Sequence, residues 1–136
     1  MHNFTVIVTD SFNPPVKKNF TLTIQYNQAP IKLVQIPNYG IVNFNLLVIR
    51  FNPITTLFQD PEGRSLTAKL TQGNGDPLPS FLSYNALTNV LSGTPLDVNI
   101  GEWPITYSAI DDEGNIAGIT FKITVKRKCL LTIYIA

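Results

Sequence analysis

The carboxylates of this sequence are its best candidates for catalysis or for metal binding. Asp60 and Glu62 stand two positions apart, and Asp111 and Asp112 are adjacent. Paired carboxylates can serve a glycosidase as acid and base, or they can contribute oxygen ligands to a calcium ion. Either use depends on the fold that brings the two pairs together.

The sequence offers no suitable base for a serine or cysteine nucleophile. The single histidine, His2, lies near the start of the sequence, and a serine or cysteine triad needs an imidazole beside its nucleophile. A glycosidase acid needs an apolar pocket that raises its pKa, and carboxylates in solvated turns have no such pocket. Cys129 follows three basic residues and is interpreted as a passive thiol. We therefore expect no enzymatic activity.

The composition excludes several classes of partner. Only 14% of the residues are charged and the net charge is +1, so no strong field attracts nucleic acid or anionic lipid. The one cysteine cannot form an internal disulfide. The apolar run 129–136 is far shorter than the roughly 20 residues of a membrane-spanning helix, so we expect no membrane insertion by this segment.

Apolar residues recur at every second position, which is the period of a β-strand and not of a helix. Prolines and glycines fall mostly between these runs, where turns need their backbone geometry. Many short strands separated by turns predict an all-β fold, a Greek-key immunoglobulin- or cadherin-like β-sandwich of about seven strands. The clearest alternating runs are Phe4, Val6, Val8; Phe20, Leu22, Ile24; Ile105, Tyr107, Ala109; and Ile119, Phe121, Ile123, Val125.

Two parts of the chain resemble each other. Residues 4–24 overlay residues 105–125 without a gap, with apolar residues on apolar residues and Asp10 on Asp111. This internal repeat predicts that residues 1–26 are the last two strands of an earlier repeat. Residues 27–126 are then one complete repeat, of the usual size for an immunoglobulin-like sandwich, and residues 127–136 form a tail.

An ordered set of motifs in residues 27–126 carries a family resemblance. The motifs are Asn27-Gln28-Ala29-Pro30, Asp60-Pro61-Glu62-Gly63, Leu78-Pro79-Ser80-Phe81-Leu82, Leu91-Ser92-Gly93-Thr94-Pro95 and Asp111-Asp112-Glu113-Gly114. Together they resemble the dystroglycan-type cadherin-like family and the related immunoglobulin-like repeats of surface proteins. Two of the motifs also have a physical explanation. Residues 60–63 have the composition of a β-turn, and Gly93 permits a close backbone approach.

The resemblance implies a calcium site. In a sandwich of this kind the domain entry and two loops share one pole, which would gather Asn27, Asp60, Glu62 and Asp111. In cadherin-like proteins calcium at this pole stiffens the junction between repeats, and these four residues are the implied ligands. The alternative is that Asp, Asn and Glu are here ordinary turn residues that bond to local backbone. No other cofactor is indicated.

Two glycosylation sequons lie in the first 26 residues, at Asn3-Phe4-Thr5 and Asn19-Phe20-Thr21. Each asparagine neighbours a phenylalanine of the alternating face, so both asparagines should face solvent. Asn3 and Asn19 are therefore candidate glycosylation sites of a secreted parent protein.

Three functions remain open from the sequence. The first is an extracellular structural or adhesive repeat of a cell-surface or filament protein. Its partners would be neighbouring repeats or other chains, met through strand edges and through the hairpin of residues 1–26. The second is a carbohydrate-binding accessory module of a polysaccharide-active protein, with Tyr26, Tyr39 and Phe51 as the candidate aromatic contacts. The third, a glycosidase, would have to use the carboxylate pairs.

Overall fold

Strands make up nearly all of the regular structure in residues 1–129 and 135, the part of the chain that the computed structural model describes. One single-turn helix, α1, spans Ile54–Leu57, and a 3-10 turn spans Asp97–Asn99. No described helix is long and apolar enough to cross a membrane. The all-β prediction is confirmed.

The strands lie at the following positions. They are β1 His2–Val8, β2 Val16–Leu22, β3 Ile31–Lys32, β4 Tyr39–Val42, β5 Leu47–Arg50, β6 Phe58–Gln59, β7 Thr67–Gln72, β8 Leu82–Asn85, β9 Val90–Gly93, β10 Gly101–Ile110 and β11 Ile116–Lys126.

Two main sheets enclose the core. One has four strands in the order β4, β11, β10, β7, and the other has three in the order β5, β9, β8. The short strands β3 and β6 form a separate pair, and β1 pairs only with β2. The seven strands of the two main sheets form the immunoglobulin-like sandwich that the alternation predicts.

The pairing of β10 with β11 organises the larger sheet. It is antiparallel and runs from Gly101 opposite Val125 to Ile110 opposite Ile116. On the outer edges, β7 pairs antiparallel with β10, while β4 pairs parallel with β11. Neither edge of this central hairpin is left free along its whole length.

The core lies between the two sheets and is built from alternate residues of their strands. Leu91, Tyr107 and Phe121 are buried, whereas Phe81 and Trp103 lie half-buried at the margin. The Trp103 indole N–H donates to the Asn99 carbonyl oxygen at 2.8 Å. The core residues of the larger sheet are Leu70, Ile105, Tyr107, Ala109, Ile119, Phe121, Ile123 and Val125; those of the smaller sheet are Leu47, Ile49, Leu82 and Leu91.

A polar network satisfies the tyrosines of the core. Tyr107 is fully buried, and its hydroxyl donates to the Asn89 side-chain oxygen at 3.0 Å; the Tyr84 hydroxyl donates to the same oxygen at 2.7 Å. Burial raises the pKa of Tyr84, and the neighbouring Tyr107 acts in the same direction. Asn89 itself has a φ of 54°, a left-handed conformation that asparagine tolerates better than most residues. The buried hydroxyls are thereby paired.

The hairpin of β1 and β2 stands apart from this core. Every residue of both strands is exposed, although Phe4 and Phe20 stack on each other with ring centroids 5.3 Å apart. None of its residues belongs to the core cluster. The division of the chain at residues 26 and 27 remains a prediction from the internal repeat.

Gly93 is required by a close approach of two strands. A Cβ placed on Gly93 would lie 1.8 Å from the carbonyl oxygen of Phe81, which is a backbone atom that no rotamer change can move. A side chain at this position would force β8 and β9 apart. The backbone approach predicted for the Leu-Ser-Gly-Thr-Pro motif is confirmed.

We predict that Gly93→Ala destabilises the protein by about 3 kcal/mol, the cost of overpacking a rigid site. Equilibrium urea unfolding measures this loss. Gly40→Ala in β4 is the matched control, since a Cβ there meets nothing within 4 Å, and it should change stability by less than about 0.5 kcal/mol. Equal effects of the two substitutions would contradict the steric explanation.

Candidate functional site

One pole of the sandwich collects most of the acidic side chains. It is formed by the segment that enters β3, the loop between β6 and β7, and the loop between β10 and β11. We call it the acidic pole; its residues are Asn27, Gln28, Asp60, Glu62, Arg64, Asp111, Asp112 and Glu113. Five carboxylates face a single guanidinium here among the described residues.

The turn after β6 is shaped by Asp60. Its Oδ1 accepts hydrogen bonds from the backbone N–H groups of Glu62 and Arg64, both at 2.9 Å. Gly63 adopts a φ of 77°, which glycine accommodates without strain, and its N–H donates to the Asp60 carbonyl oxygen. The predicted turn is therefore present, and it buries Asp60 to 6% exposure.

Asp111 holds the opposite loop in a similar way. Its Oδ1 accepts from the backbone N–H groups of Glu113 and Asn115, and its Oδ2 accepts from the side-chain amides of Asn115 and Asn27, all within 3.0 Å. Burial opposes ionisation of Asp111, but these hydrogen bonds outweigh it and hold its pKa below the usual value. Asp111 is thus a charged anchor for two segments.

Further contacts join the three segments of the acidic pole. Gln28 donates to Glu62 through its backbone N–H at 3.2 Å and its side-chain amide at 3.3 Å. Arg64 forms ion pairs with Asp112 at 2.9 Å and Glu113 at 2.7 Å, and these hydrogen bonds raise its pKa above the ordinary value. The structure therefore brings the four predicted calcium ligands to one pole, while their role as ligands stays a prediction.

Two buried oxygens of the acidic pole have no hydrogen-bond partner in the part of the chain that the structure describes. They are Oδ1 of Asn27 and Oδ2 of Asp60. A buried acceptor without a donor costs free energy, most of all on a charged group, unless a cation or water satisfies it. Both atoms are of the type that calcium prefers. In residues 1–129 no cluster of three or more His, Cys, Asp or Glu side chains is arranged to hold a metal.

The hydrogen bonds differentiate the four candidate ligands. Asp111 already accepts four bonds, which is the full capacity of a carboxylate, so in this arrangement it positions Asn27. Among the described residues, Asp60 retains one oxygen without a hydrogen-bond partner, and Glu62 is half-buried. Asp60 and Asp111 are both occupied in supporting their own loops, which is not how a general acid is held.

The far pole depends on Asn43, which sequence reasoning missed. Asn43 is 1% exposed; its side-chain amide donates to Asp97, and its side-chain oxygen accepts from the Lys128 backbone N–H at 2.6 Å. Its own backbone N–H donates to the Lys126 carbonyl oxygen at 2.9 Å. Its position after the apolar run of β4 gave only a weak signal, because a loop asparagine is ordinarily exposed.

The two candidate glycosylation sites lie on one face of the N-terminal hairpin. The Thr5 hydroxyl donates to Asn19 at 2.8 Å, and the Thr21 hydroxyl donates to Asn3 at 3.0 Å, so each sequon supplies the threonine that contacts the other's asparagine. Both asparagines are exposed. Their modification stays a prediction.

The candidate aromatic contacts for carbohydrate do not form a row. Tyr26 is exposed, but Phe51 packs edge-on against Tyr107 with centroids 4.9 Å apart, and Tyr39 packs edge-on against Phe121 at 5.8 Å. Tyr39 and Phe51 thus contribute to the core. Of the three, only Tyr26 is free to stack on a sugar ring.

Comparison with known proteins gives a consistent family assignment. A family model described as "Putative Ig domain" matches residues 33–126. A protein of Staphylococcus aureus named "Serine-rich adhesin for platelets" is 32% identical over 126 residues, which are 93% of this chain and 5% of the adhesin. The version from strain MRSA252 is 31% identical over the same length, which is 8% of that protein. The chain thus spans only a small fraction of these relatives.

Solved structures share the fold at lower identity. An endo-fucoidan hydrolase of glycoside hydrolase family 107 is similar with a TM-score of 0.54 and 23% identity over 93% of this chain and 19% of the hydrolase. The N-terminal eight Ig domains of Down Syndrome Cell Adhesion Molecule are similar with a TM-score of 0.51 and 12% identity, over 92% of this chain and 17% of that chain. Both similarities concern the immunoglobulin-like fold alone.

The lowered pKa of Asp111 predicts a specific pH dependence. Because the folded pKa lies below the unfolded value of about 3.9, the stabilisation is present above that value and is lost as pH falls through the folded pKa. We therefore expect Asp111→Asn to be less stable than the native chain at pH 7, with the difference narrowing below about pH 4.

Urea midpoints between pH 2.5 and 7, in EDTA, measure this difference. Asp112→Asn is the control, because it removes the adjacent exposed carboxylate and leaves the hydrogen bonds of Asp111 intact. A difference for Asp111→Asn that stays constant down to pH 2.5 would show that its charge contributes nothing.

Proposed function

Because the chain belongs to the Putative Ig domain family, we propose that it is an extracellular structural or adhesive repeat that makes protein–protein contacts and catalyses nothing. The observation that carries the proposal is the similarity to the staphylococcal adhesin along 93% of the chain. The same similarity supports a cell-surface location. The narrower resemblance to dystroglycan-type cadherin-like repeats is an interpretation of the motifs, and it bears on calcium.

The acidic pole supports a non-enzymatic role. Asp60 and Asp111 each hold a loop through two backbone N–H groups, so protonating or moving either carboxylate would loosen the fold. A general acid must instead exchange its proton in every turnover. The similarity to an endo-fucoidan hydrolase concerns 19% of that enzyme and the fold alone, so it does not favour the glycosidase alternative.

The carbohydrate-binding alternative is weaker than the adhesive one. Sugar rings stack on exposed aromatic side chains, and Tyr39 and Phe51 pack against the core. The remaining candidate, Tyr26, stands alone on the segment between the hairpin and the sandwich. Protein contact therefore remains the better-supported mode of binding.

Adhesion can be tested on platelets, which the name of the staphylococcal adhesin mentions. Cys129 is the single cysteine and is exposed, so the chain can be coupled to beads at one defined point remote from the acidic pole. We expect such beads to adhere to washed platelets, and prior trypsin treatment of the platelets to abolish adhesion while glycosidase treatment preserves it. Beads blocked with free cysteine, which carry no chain, are the control. Loss of adhesion after glycosidase treatment alone would favour the carbohydrate alternative.

We further propose that the acidic pole binds calcium. Asn27 Oδ1 and Asp60 Oδ2 are the buried free acceptors, the half-buried Glu62 would also contribute, and Asp111 would position Asn27 or contribute directly. A calcium ion would compensate the excess negative charge of the acidic pole. Because Asn27 lies on the segment that joins the hairpin to the sandwich, a bound cation would stiffen that segment.

We predict that saturating calcium raises the melting temperature of the native chain and not that of Asp60→Asn. A tenfold excess over the Kd contributes about 1.4 kcal/mol, which for a domain of this size is roughly 5 °C or more. The asparagine keeps an oxygen for the Glu62 and Arg64 N–H groups, so the turn should persist. Calorimetry in millimolar calcium and in EDTA provides the measurement.

Asp76→Asn is the matched control, since Asp76 lies in the exposed loop after β7 and contacts only Asn74 through its side chain. It should retain the full calcium response. An identical melting temperature of the native chain in calcium and in EDTA would contradict the calcium proposal and leave the adhesive role standing.

A further inference from the structure

The N-terminal hairpin presents an apolar face to solvent. Phe4 and Phe20 are 45% and 50% exposed, and Val6 and Leu22 are similar. An isolated two-stranded hairpin is marginally stable in water, and an uncovered apolar sheet face is a surface for association. The hairpin of β10 and β11 shows how such an apolar face is covered in this fold.

The hairpin has the same register as the central hairpin of the sandwich. Phe4 is opposite Phe20, just as Ile105 is opposite Phe121, and these are the positions that the internal repeat equates. The agreement extends along the strands, from His2 opposite Leu22 to Val8 opposite Val16. The internal repeat is therefore present both in the sequence and in the strand register of the two hairpins.

The turns of the two hairpins also correspond. Asp10 Oδ1 accepts from the Phe12 backbone N–H at 2.9 Å, and Asp111 Oδ1 accepts from the Glu113 backbone N–H at 3.0 Å. Hydrogen bonds from Asn13 and from the Phe12 N–H lower the pKa of Asp10, much as the corresponding bonds act on Asp111. Both the strands and the loop are thus those of a closing immunoglobulin-like hairpin.

Every exposed apolar residue of the inward face has a buried counterpart. Ile105, Tyr107, Ala109, Phe121, Ile123 and Val125 are at most 2% exposed, and they correspond to Phe4, Val6, Val8, Phe20, Leu22 and Ile24, which are 45–64% exposed. The counterparts are covered by the three-stranded sheet, with β7 and β4 on the outer edges. The same cover fits the N-terminal hairpin.

We infer that the N-terminal hairpin is a docking surface for an immunoglobulin-like sandwich that lacks its own last two strands. The partner places one antiparallel strand on the free edge of β1, as β7 does on β10, and one parallel strand on the free edge of β2, as β4 does on β11. Its second sheet covers the apolar face. This inference is independent of the calcium site.

Lys18 distinguishes the partner from residues 27–101 of this chain. It stands opposite Val6, at the position whose counterpart is Ile119, which is 1% exposed. An ammonium that is covered by a sheet requires a carboxylate partner or a route to solvent along its aliphatic stem. The natural partner therefore carries an acidic group within reach of Lys18, and it fills the space that Val6 leaves relative to Tyr107.

The test supplies the missing strands from the chain itself. A tandem chain carries a copy of residues 27–101 in front of Met1, so that Gly101 leads into the hairpin. A second tandem also carries Val6→Tyr and Lys18→Ile, which restore the side chains of the buried counterparts. Hydrogen–deuterium exchange with mass spectrometry follows the peptides of residues 1–26 and 102–126, each of which occurs once in the tandem.

We expect the hairpin amides to exchange rapidly in the native 136-residue chain and on the order of 100-fold more slowly in the tandems, more so in the second. Residues 102–126 should keep their protection throughout. Within the second tandem, Phe20→Lys should remove the protection of the hairpin, while Thr21→Lys, one position along on the solvent face, should preserve it. Comparison of the two lysine variants separates the effect of a new charge from the effect of its position.

Three results would overturn the inference. In the first, neither tandem protects the hairpin. In the second, the hairpin of the native chain is already protected at every protein concentration, which means that the chain covers its own face. In the third, protection of the native chain grows with concentration and matches a dimer in sedimentation, which means that the surface takes a second copy instead.

Discussion

A β-hairpin that buries one face must also have its edges paired, since each free edge carries backbone groups that lack partners. The hairpin of β10 and β11 meets both requirements within one repeat. Its inward residues are sealed by the smaller sheet, β7 and β4 occupy its edges, and its connecting loop forms one side of the acidic pole. The N-terminal hairpin shares its register and turn, but no strand within residues 1–129 lies on its edges or covers its face.

The features that could be predicted from the sequence are those that depend on local geometry. Alternation identifies strands because side chains point to opposite faces with a period of two, and it located the inward residues of β10 and β11 correctly. Turn chemistry identified residues 60–63, and the Leu-Ser-Gly-Thr-Pro motif pointed to Gly93. The internal repeat predicted a pairing register, since two hairpins that align without a gap have loops of equal length.

The features that escaped prediction depend on which distant groups meet. Asn89 accepts from two tyrosine hydroxyls, and Asn43 ties the end of β4 to the chain beyond β11. A polar residue in a turn gives no sign that it will be buried. Trp103 lies at the margin of the core, where its N–H reaches the Asn99 carbonyl oxygen, a contact that no local pattern predicts. The gathering of Asn27, Asp60 and Asp111 was foreseen only through the family resemblance, and their two unpaired oxygens required coordinates.

The parallel pairing of β4 with β11 has a mechanical consequence. Tension on a surface protein pulls the entry of the sandwich, before β3, away from its exit, after β11. Parallel strands pulled from opposite ends slide along each other, so the pairs from Tyr39 opposite Ile123 to Val42 opposite Lys126 are loaded together in shear rather than broken one after another. Asn43 adds its bonds to Lys126 and Lys128 at the exit, where the load is applied. Under such tension the four residue pairs between β4 and β11 would resist separation together.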